Sequence, residues 1–317
     1  MTGYILRRLL LAILVLIIVT LMVFFVMRIL PGDPLTIYIA QQNIQILTPE
    51  REALLRHEFG LDKPMAMQYL DWMAGLFHGD FGNSIFISEP VAKILAQRLP
   101  VTLHLGVLSL ILSGFIGILF GLLAALRRGQ AMDTIFTSLA NFGVATPAFW
   151  LGIILIYGFG LHLGWLPIYG YTSPFDDFWL STKQLIMPVF VLATFGMAST
   201  ARQTRSSILE VVRQDYIRTA WSKGLGERAI VLKHVLKNSL IPVVTLLGMQ
   251  VSNILGGAVL IETVFNIPGM GRLMVDSVFS QDYQVVQACI LIIGSVVVIV
   301  NLIVDISYGW LDPRIRY

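Results

Sequence analysis

The sequence predicts an all-α, polytopic membrane protein, a bundle of six membrane-spanning helices. Three observations carry that reading. Of the 317 residues, 56% are hydrophobic and only 13% charged, too apolar a mixture for a water-soluble domain. Apolar runs recur along the chain, each long enough to cross a hydrocarbon layer about 30 Å thick. The Lys and Arg residues, finally, gather in alternate connecting segments.

The first span runs from Leu9 to Met27, with Thr20 as its one polar side chain. Arg7 and Arg8 precede it, as in a signal peptide. The apolar stretch is nonetheless longer than the roughly 7–15 residues of a signal core, and Arg28-Ile29-Leu30-Pro31 offers no small-residue cleavage site, so an uncleaved membrane helix is expected. Residues 31–99 form a segment between the first two spans with helix signals of its own. Thr48-Pro49-Glu50 supplies an N-cap, a proline at the first helical position and an acid in the first turn, and Gly60 closes that stretch. Met65, Tyr69, Trp72, Met73 and Leu76 recur at helical spacing behind Pro64. Ser88 starts a third element, with Val91, Ile94, Leu95 and Leu99 on one face. These short amphipathic helices are expected on the outer membrane surface or packed over the spans, as a structural cap or as a docking surface.

The remaining spans are Val101–Leu126, Ile135–Leu163, Leu185–Ala201, Leu240–Ile261 and Val285–Ile306. Ser113, Gly117, Gly121 and Ala125 make a stripe of small residues in one of them, and Gly248, Ser252 and Gly256 make another. Such stripes let helix backbones approach closely where lipid removes the hydrophobic drive for association. Pro147, Pro188 and Pro242 predict kinks or helix starts. Six spans put both termini on one side. The N-terminal tail, the turn at Arg127-Arg128, the loop from Arg202 to Lys237 and the C-terminal tail hold 14 of the 22 basic residues. The opposite side holds 8, against 13 acidic ones. The bias places both termini in the cytoplasm. The net charge of +3 follows from this topology and gives no reason to invoke nucleic acid.

Chemistry is sparse. A phosphate-cradling GxxxxGK[ST] loop is absent, since no Lys is followed by Ser or Thr, so the chain is not expected to hydrolyse ATP. His57, His78, His104, His162 and His234 are scattered, with no HExxH, and His104 reads as a hydrogen-bonded helix contact. Cys289, the lone cysteine, reads as a small core residue; no metal site and no catalytic set emerge. Polar residues inside spans are the internal clue to a substrate path. Gln250, Asn253 and Gly257 share one face of the fifth span; Thr134, Thr137, Ser138 and Asn141 do the same at the start of the third. They face either neighbouring helices or a wet cavity, and both readings stand. Asp133 and Asp305 are expected near the cytoplasmic ends, where hydration is easy.

The basic loop between the fourth and fifth spans carries more order than a topology signal needs. From Ile208 to Lys223 it can be helical, with Val212, Tyr216, Thr219 and Lys223 on one flank and Ile217, Ala220 and Trp221 on an adjoining surface. Gly224, followed by Leu225-Gly226, is a natural helix stop. A capped helix with exposed apolar and aromatic side chains in a cytoplasmic loop is a docking knob.

Here the residues resemble a known family. Tyr216, Arg218-Thr219-Ala220 and Gly224 resemble the coupling loop of ABC-importer permeases. The chain as a whole resembles the dipeptide/oligopeptide/nickel branch, through Pro31-Gly32-Asp33-Pro34, Gly60-Leu61-Asp62-Lys63-Pro64, Gly79-Asp80-Phe81-Gly82 and Arg205-Ser206-Ser207. Further on, Phe265-Asn266-Ile267-Pro268-Gly269-Met270-Gly271-Arg272, Asp282-Tyr283 and Asp312-Pro313-Arg314-Ile315-Arg316 extend the match. Arg218 replaces the Glu of the family's Glu-Ala-Ala triplet, and the expected Leu-Pro is Leu236-Lys237, with proline delayed to Pro242. The resemblance implies a type I ABC importer permease fold in the bacterial plasma membrane. It divides the chain into residues 1–97, a first helix and outer segment; a core at 98–309 with a coupling loop near 205–237; and a tail at 310–317. It implies an ATPase-coupling surface of Tyr216, Ile217, Arg218, Thr219, Ala220, Trp221, Ser222, Lys223 and Gly224; from the polar residues inside spans, Asn141, Gln250 and Asn253 are the candidates for the translocation path. The implied partners are a second homologous permease, two ATPase subunits holding ATP and Mg²⁺, an extracytoplasmic binding protein and the bilayer. This chain itself needs no cofactor. The implied cargo is a di- or oligopeptide, with a nickel chelate or glutathione as alternatives in the same family. A secondary transporter is the rival from another class; it calls for an ion site or proton relay, or an inverted repeat.

Overall fold

A computed structural model describes residues 2–29, 34–41, 48–58 and 60–311. The blocks read from sequence at residues 31–33 and 312–316 lie outside the described residues, as does the end of the 310–317 tail. Among the described residues every regular element is a helix, with one isolated bridge between Asn83 and Pro90. The helices are α1 (Thr2–Ile29), α2 (Pro34–Gln41), α3 (Pro49–Glu58), α4 (Met65–Phe77), α5 (Val91–Leu126), α6 (Ala131–Ala145) and α7 (Ala148–Leu155). They continue as α8 (Phe178–Val211), α9 (Asp215–Ser222), α10 (Glu227–Ala229), α11 (Lys237–Val264), α12 (Met270–Phe279) and α13 (Tyr283–Leu311). A π-helical stretch, Ile156–His162, prolongs α7, and another, Ile230–Leu236, joins α10 to α11.

Among the described residues, five helical stretches are long and apolar enough to cross a membrane: Leu6–Ile29, Val91–Leu126, Phe178–Val211, Glu227–Val264 and Tyr283–Val304. The sixth expected span, Ile135–Leu163, is not one helix. It is α6 and α7 with its π extension, bent by 103°, and counts as a sixth span only if the bent pair is one. Pro147 causes the break. Its ring disfavours helical geometry at the preceding residue, and Thr146 accordingly sits at φ −88°, ψ 124°. The element expected to start at Ser88 is corrected too: α5 runs unbroken from Val91 to Leu126 through Pro100, so the amphipathic turns are the first turns of the second span.

The helices group into two compact units, one of residues 103–267 with α13 from Ile299 onward, the other of residues 2–102 and 268–298. In the first unit the small-residue stripe of α5 meets α8. A Cβ at Gly117 would lie 2.5 Å from the Thr200 Cβ, and one at Gly121 would lie 2.5 Å from the Ala201 carbonyl oxygen. Only glycine permits that approach. The second stripe is half used: Gly248 touches Val304, whereas Gly256 faces open space.

In the second unit Val91, Ile94 and Leu95 of α5 share a core with Met270, Leu273, Val285 and the fully buried Cys289. Thr48 Oγ1 accepts a hydrogen bond from the Arg51 N–H at 3.3 Å at the start of α3, and Gly60 stops the helix at φ +65°. α4 lies on α1. Tyr69 packs edge-on against the buried Phe24 ring at 5.2 Å, and the Arg28 guanidinium sits 3.5 Å over that ring while donating to Gln68 Oε1. The turn before α13 buries Asp282. Its Oδ2 accepts from Ser84 Oγ at 2.5 Å and from the Phe86 N–H at 3.3 Å, and burial pushes the carboxyl above its ordinary range.

Candidate functional site

The continuous helix expected over Ile208–Lys223 is broken. α8 ends at Val211, Val212 to Gln214 form a turn, and α9 restarts at Asp215 after Gln214 in extended conformation (φ −72°, ψ 146°). The break lets α9 lie with one face in the protein. Ile217 and Ala220 are buried, packed with Ala125, Ile208, Ile230 and Val235. The adjoining surface of Ile217, Ala220 and Trp221 therefore divides: the first two are the anchor, and only Trp221 is exposed, at 50%. Burying Ile217 relative to leaving it in water stabilises this seat by roughly 1.5–3 kcal/mol.

The outward face of α9 carries Tyr216, Arg218, Thr219, Trp221, Ser222 and Lys223, all exposed. Tyr216 is 44% exposed, and its hydroxyl accepts from Asn238 Nδ2 at 3.0 Å, fixing the ring's direction. Thr219 Oγ1 donates to the Asp215 carbonyl and Ser222 Oγ to the Thr219 carbonyl, so both hydroxyls are spent inside the helix. The Arg218–Asp215 pair is 3.6 Å long with both side chains largely exposed, a contact worth little in water. Gly224 ends the helix at φ +74°, and its N–H bonds the Trp221 carbonyl at 2.9 Å. No atom lies within 4 Å of a Cβ built there, so backbone conformation alone calls for glycine.

The pathway residues do not all come together. Gln250 and Asn253 line a cavity of about 240 Å³ bounded by α6, α7, α8 and α11; Asn141 is exposed on α6 but does not line it. Gln250 is buried and engaged by its neighbours. Its Nε2 donates to the Gly196 carbonyl (3.2 Å) and Thr200 Oγ1 (3.0 Å), and Ser113 Oγ donates to its Oε1 at 3.3 Å. The amide thus ties α5, α8 and α11 together, while Asn253, three residues on, is exposed at the cavity. Thr134, Ser138 and Asn141 form an exposed polar row along α6, and Thr137 turns inward to donate to Asp133. His104 is a helix contact, hydrogen-bonded to the Tyr171 hydroxyl at 3.1 Å.

Asp133 departs from expectation. It stands in the first turn of α6, at a helix end as read, but is buried rather than hydrated, held bidentately by Arg205 Nε and Nη2 at 2.8 and 2.9 Å, with the Gly129 N–H donating at 3.1 Å. The clamp joins the turn after α5 to the last turns of α8. Local sequence patterns do not reveal it, because its partners lie 72 residues apart. Among the described residues there is no group of three or more His, Cys, Asp or Glu side chains placed to hold a metal ion.

Residues 117–317 match the family described as binding-protein-dependent transport system inner membrane component, and residues 1–106 match its N-terminal counterpart. The chain belongs to this family. It is 42% identical to the oligopeptide transport system permease protein AppB of Bacillus subtilis, with the whole of both chains covered. It is 40% identical to the dipeptide transport system permease protein DppB of Escherichia coli, with all of this chain and 99% of that one covered. Among solved structures it superposes on a chain of the MetNI methionine ABC transporter, in an inward-facing form. The TM-score is 0.57 at 16% identity, with 69% of this chain and 97% of that one covered. That likeness identifies the fold, the type I ABC importer permease.

Proposed function

We propose, from membership of this family, that the chain forms half of the pathway of an ATP-driven peptide importer. A second homologous permease supplies the other half, two ATPase subunits holding ATP and Mg²⁺ drive the pair, and an extracytoplasmic binding protein delivers the cargo. The chain's relatives named for oligopeptide and dipeptide transport favour a peptide over a nickel chelate or glutathione. In this reading residues 98–309 are the transport core, and both termini are cytoplasmic.

The observation that carries the proposal is α9. A helix of eight residues seats two side chains in its own protein and holds two aromatic rings outside it, next to a glycine stop. The outward residues Tyr216, Arg218, Thr219, Trp221, Ser222 and Lys223 contact an ATPase cleft, Ile217 and Ala220 make the seat, and Gly224 sets its end. When ATP draws the ATPases together, α9 moves as a rigid lever, and α8 before it and α11, joined to it through α10 and the π-helical stretch, carry the motion toward the cavity at Asn253 and Gln250. Asn141 and its polar neighbours on α6 line the path or face the second permease.

The test is to purify the complex through a tag on this chain from cells making all candidate subunits. The reading expects ATPase and a second permease in the same particle, and peptides as the binding protein's ligands by mass spectrometry. Recovery of the chain without an ATPase removes the reading. Orientation is checked in a Cys289→Ala background: Asn83→Cys should react with an impermeant maleimide in intact cells and Ser222→Cys only after permeabilisation. The reverse pattern inverts the topology.

A further inference from the structure

The Asp133–Arg205 clamp stands beside a cavity that the transport reading does not use. About 220 Å³ in volume, several times the roughly 30 Å³ share of one water, it opens between α5, α6 and α8. Its walls are apolar and small: Phe120, Phe136, Ala140 and Ala201, the two rings 4.8 Å apart between centroids. Arg202 and Arg205 also line it. Arg205 is committed to Asp133, but the Arg202 side chain is exposed and has no hydrogen bond or ion pair among the described residues. The Gly129 N–H binds the same carboxylate that holds Arg205, and Arg127 and Arg128 precede that glycine in the turn before α6. Both of those side chains are exposed and likewise unpaired.

We propose that this cavity binds an anionic phospholipid, its phosphate at Arg202 with Arg127 and Arg128 around it, and the upper part of one acyl chain against Phe120 and Phe136. The proposal rests on the cytoplasmic orientation given above, which places the mouth at the level of the inner headgroups. An apolar floor under uncommitted guanidinium groups matches a lipid, which carries both characters in one molecule; free phosphate uses only the mouth. A guanidinium also offers forked donors to phosphate oxygens, which a zwitterionic headgroup screens with its own cation. The clamp has a second role here. By neutralising Arg205 it leaves Arg202 as the uncompensated charge among the lining residues, and it ties α6 to α8 beside the cavity.

The full-length chain, purified from membranes with whatever subunits accompany it, is stripped of lipid and titrated with phosphatidylglycerol, with native mass spectrometry counting bound lipid. Arg202→Gln should weaken phosphatidylglycerol about fivefold. Arg202→Lys should recover part of the loss, and Arg51→Gln on the exposed face of α3 should change nothing. Phosphatidylcholine should bind more weakly than phosphatidylglycerol, and millimolar inorganic phosphate should not displace the lipid. Unchanged phosphatidylglycerol binding by Arg202→Gln overturns the proposal, and so does displacement by inorganic phosphate. Loss of a protein subunit from Arg202→Gln with lipid binding intact also overturns it, because the cavity is then a protein interface. None of these readouts depends on ATPase docking or cargo, so failure here leaves the transport reading to be judged by its own test.

Discussion

Two basic segments of the first unit, read from sequence as facing the same side, are built in opposite ways. The turn after α5 carries Arg127 and Arg128 and is fastened by a charge pair, with Asp133 gripping Arg205 and the Gly129 N–H. The segment from Gln214 to Gly224 is fastened by apolar burial, with Ile217 and Ala220 as the seat. Only the second holds large aromatic surface outward, through Tyr216 and Trp221. In the transport reading proposed above, positive charge serves topology in both, and the built seat under exposed rings serves a partner, because amphipathic rings dominate interface energetics.

Four variants probe that contrast, in falling order of effect. Ala220→Glu places a charge in the seat with no cation to meet it, a loss on the order of 3–5 kcal/mol. Proteolysis at residues 212–226 should rise sharply, with ATPase release as a consequence; a variant as protease-resistant as the parent contradicts the seat. Removing both outward rings, Tyr216→Ala with Trp221→Ala, should leave protease resistance intact and weaken ATPase association by tenfold or more, about the size of a small hot spot. Asp133→Asn loses charge-assisted hydrogen bonds worth about 1.5–3 kcal/mol and should lower thermal stability without releasing ATPase. Gly224→Val, at φ +74° in open space, should cost about 1–2 kcal/mol from backbone strain alone, read as a modest loss of uptake.

Much of the fold was legible because its causes are local. The Thr48 cap, the Gly60 stop and the α4 spacing of Tyr69 and Trp72 each depend on neighbours within a turn or two, and each stands as read. The Gly117–Gly121 approach was legible because lipid leaves small residues few other uses. What escaped depends on distance along the chain. Asp133 meets Arg205 across 72 residues and Asp282 meets Ser84 across 198, and neither pair leaves a periodic trace. The break at Val212–Gln214 contains no glycine or proline, so the run looked helical throughout. Tertiary burial of Ile217 decides it. The same burial puts Ala220 in the seat beside Ile217, which periodicity alone does not reveal, since the apolar residues of a short helix look alike whether they pack inward or face outward. Gln250 was legible as a polar residue in a span, but its three hydrogen bonds depend on α5 and α8.

The most direct measurement is subunit stoichiometry in the purified complex for two variants matched in number of changes. One is Tyr216→Ala with Trp221→Ala; the other is Arg127→Ala with Arg128→Ala. If α9 is the docking helix, the aromatic pair leaves a folded, membrane-inserted chain stripped of most of its ATPase, while the arginine pair keeps the full complement. Full ATPase retention by the aromatic pair, with the chain correctly inserted, contradicts it.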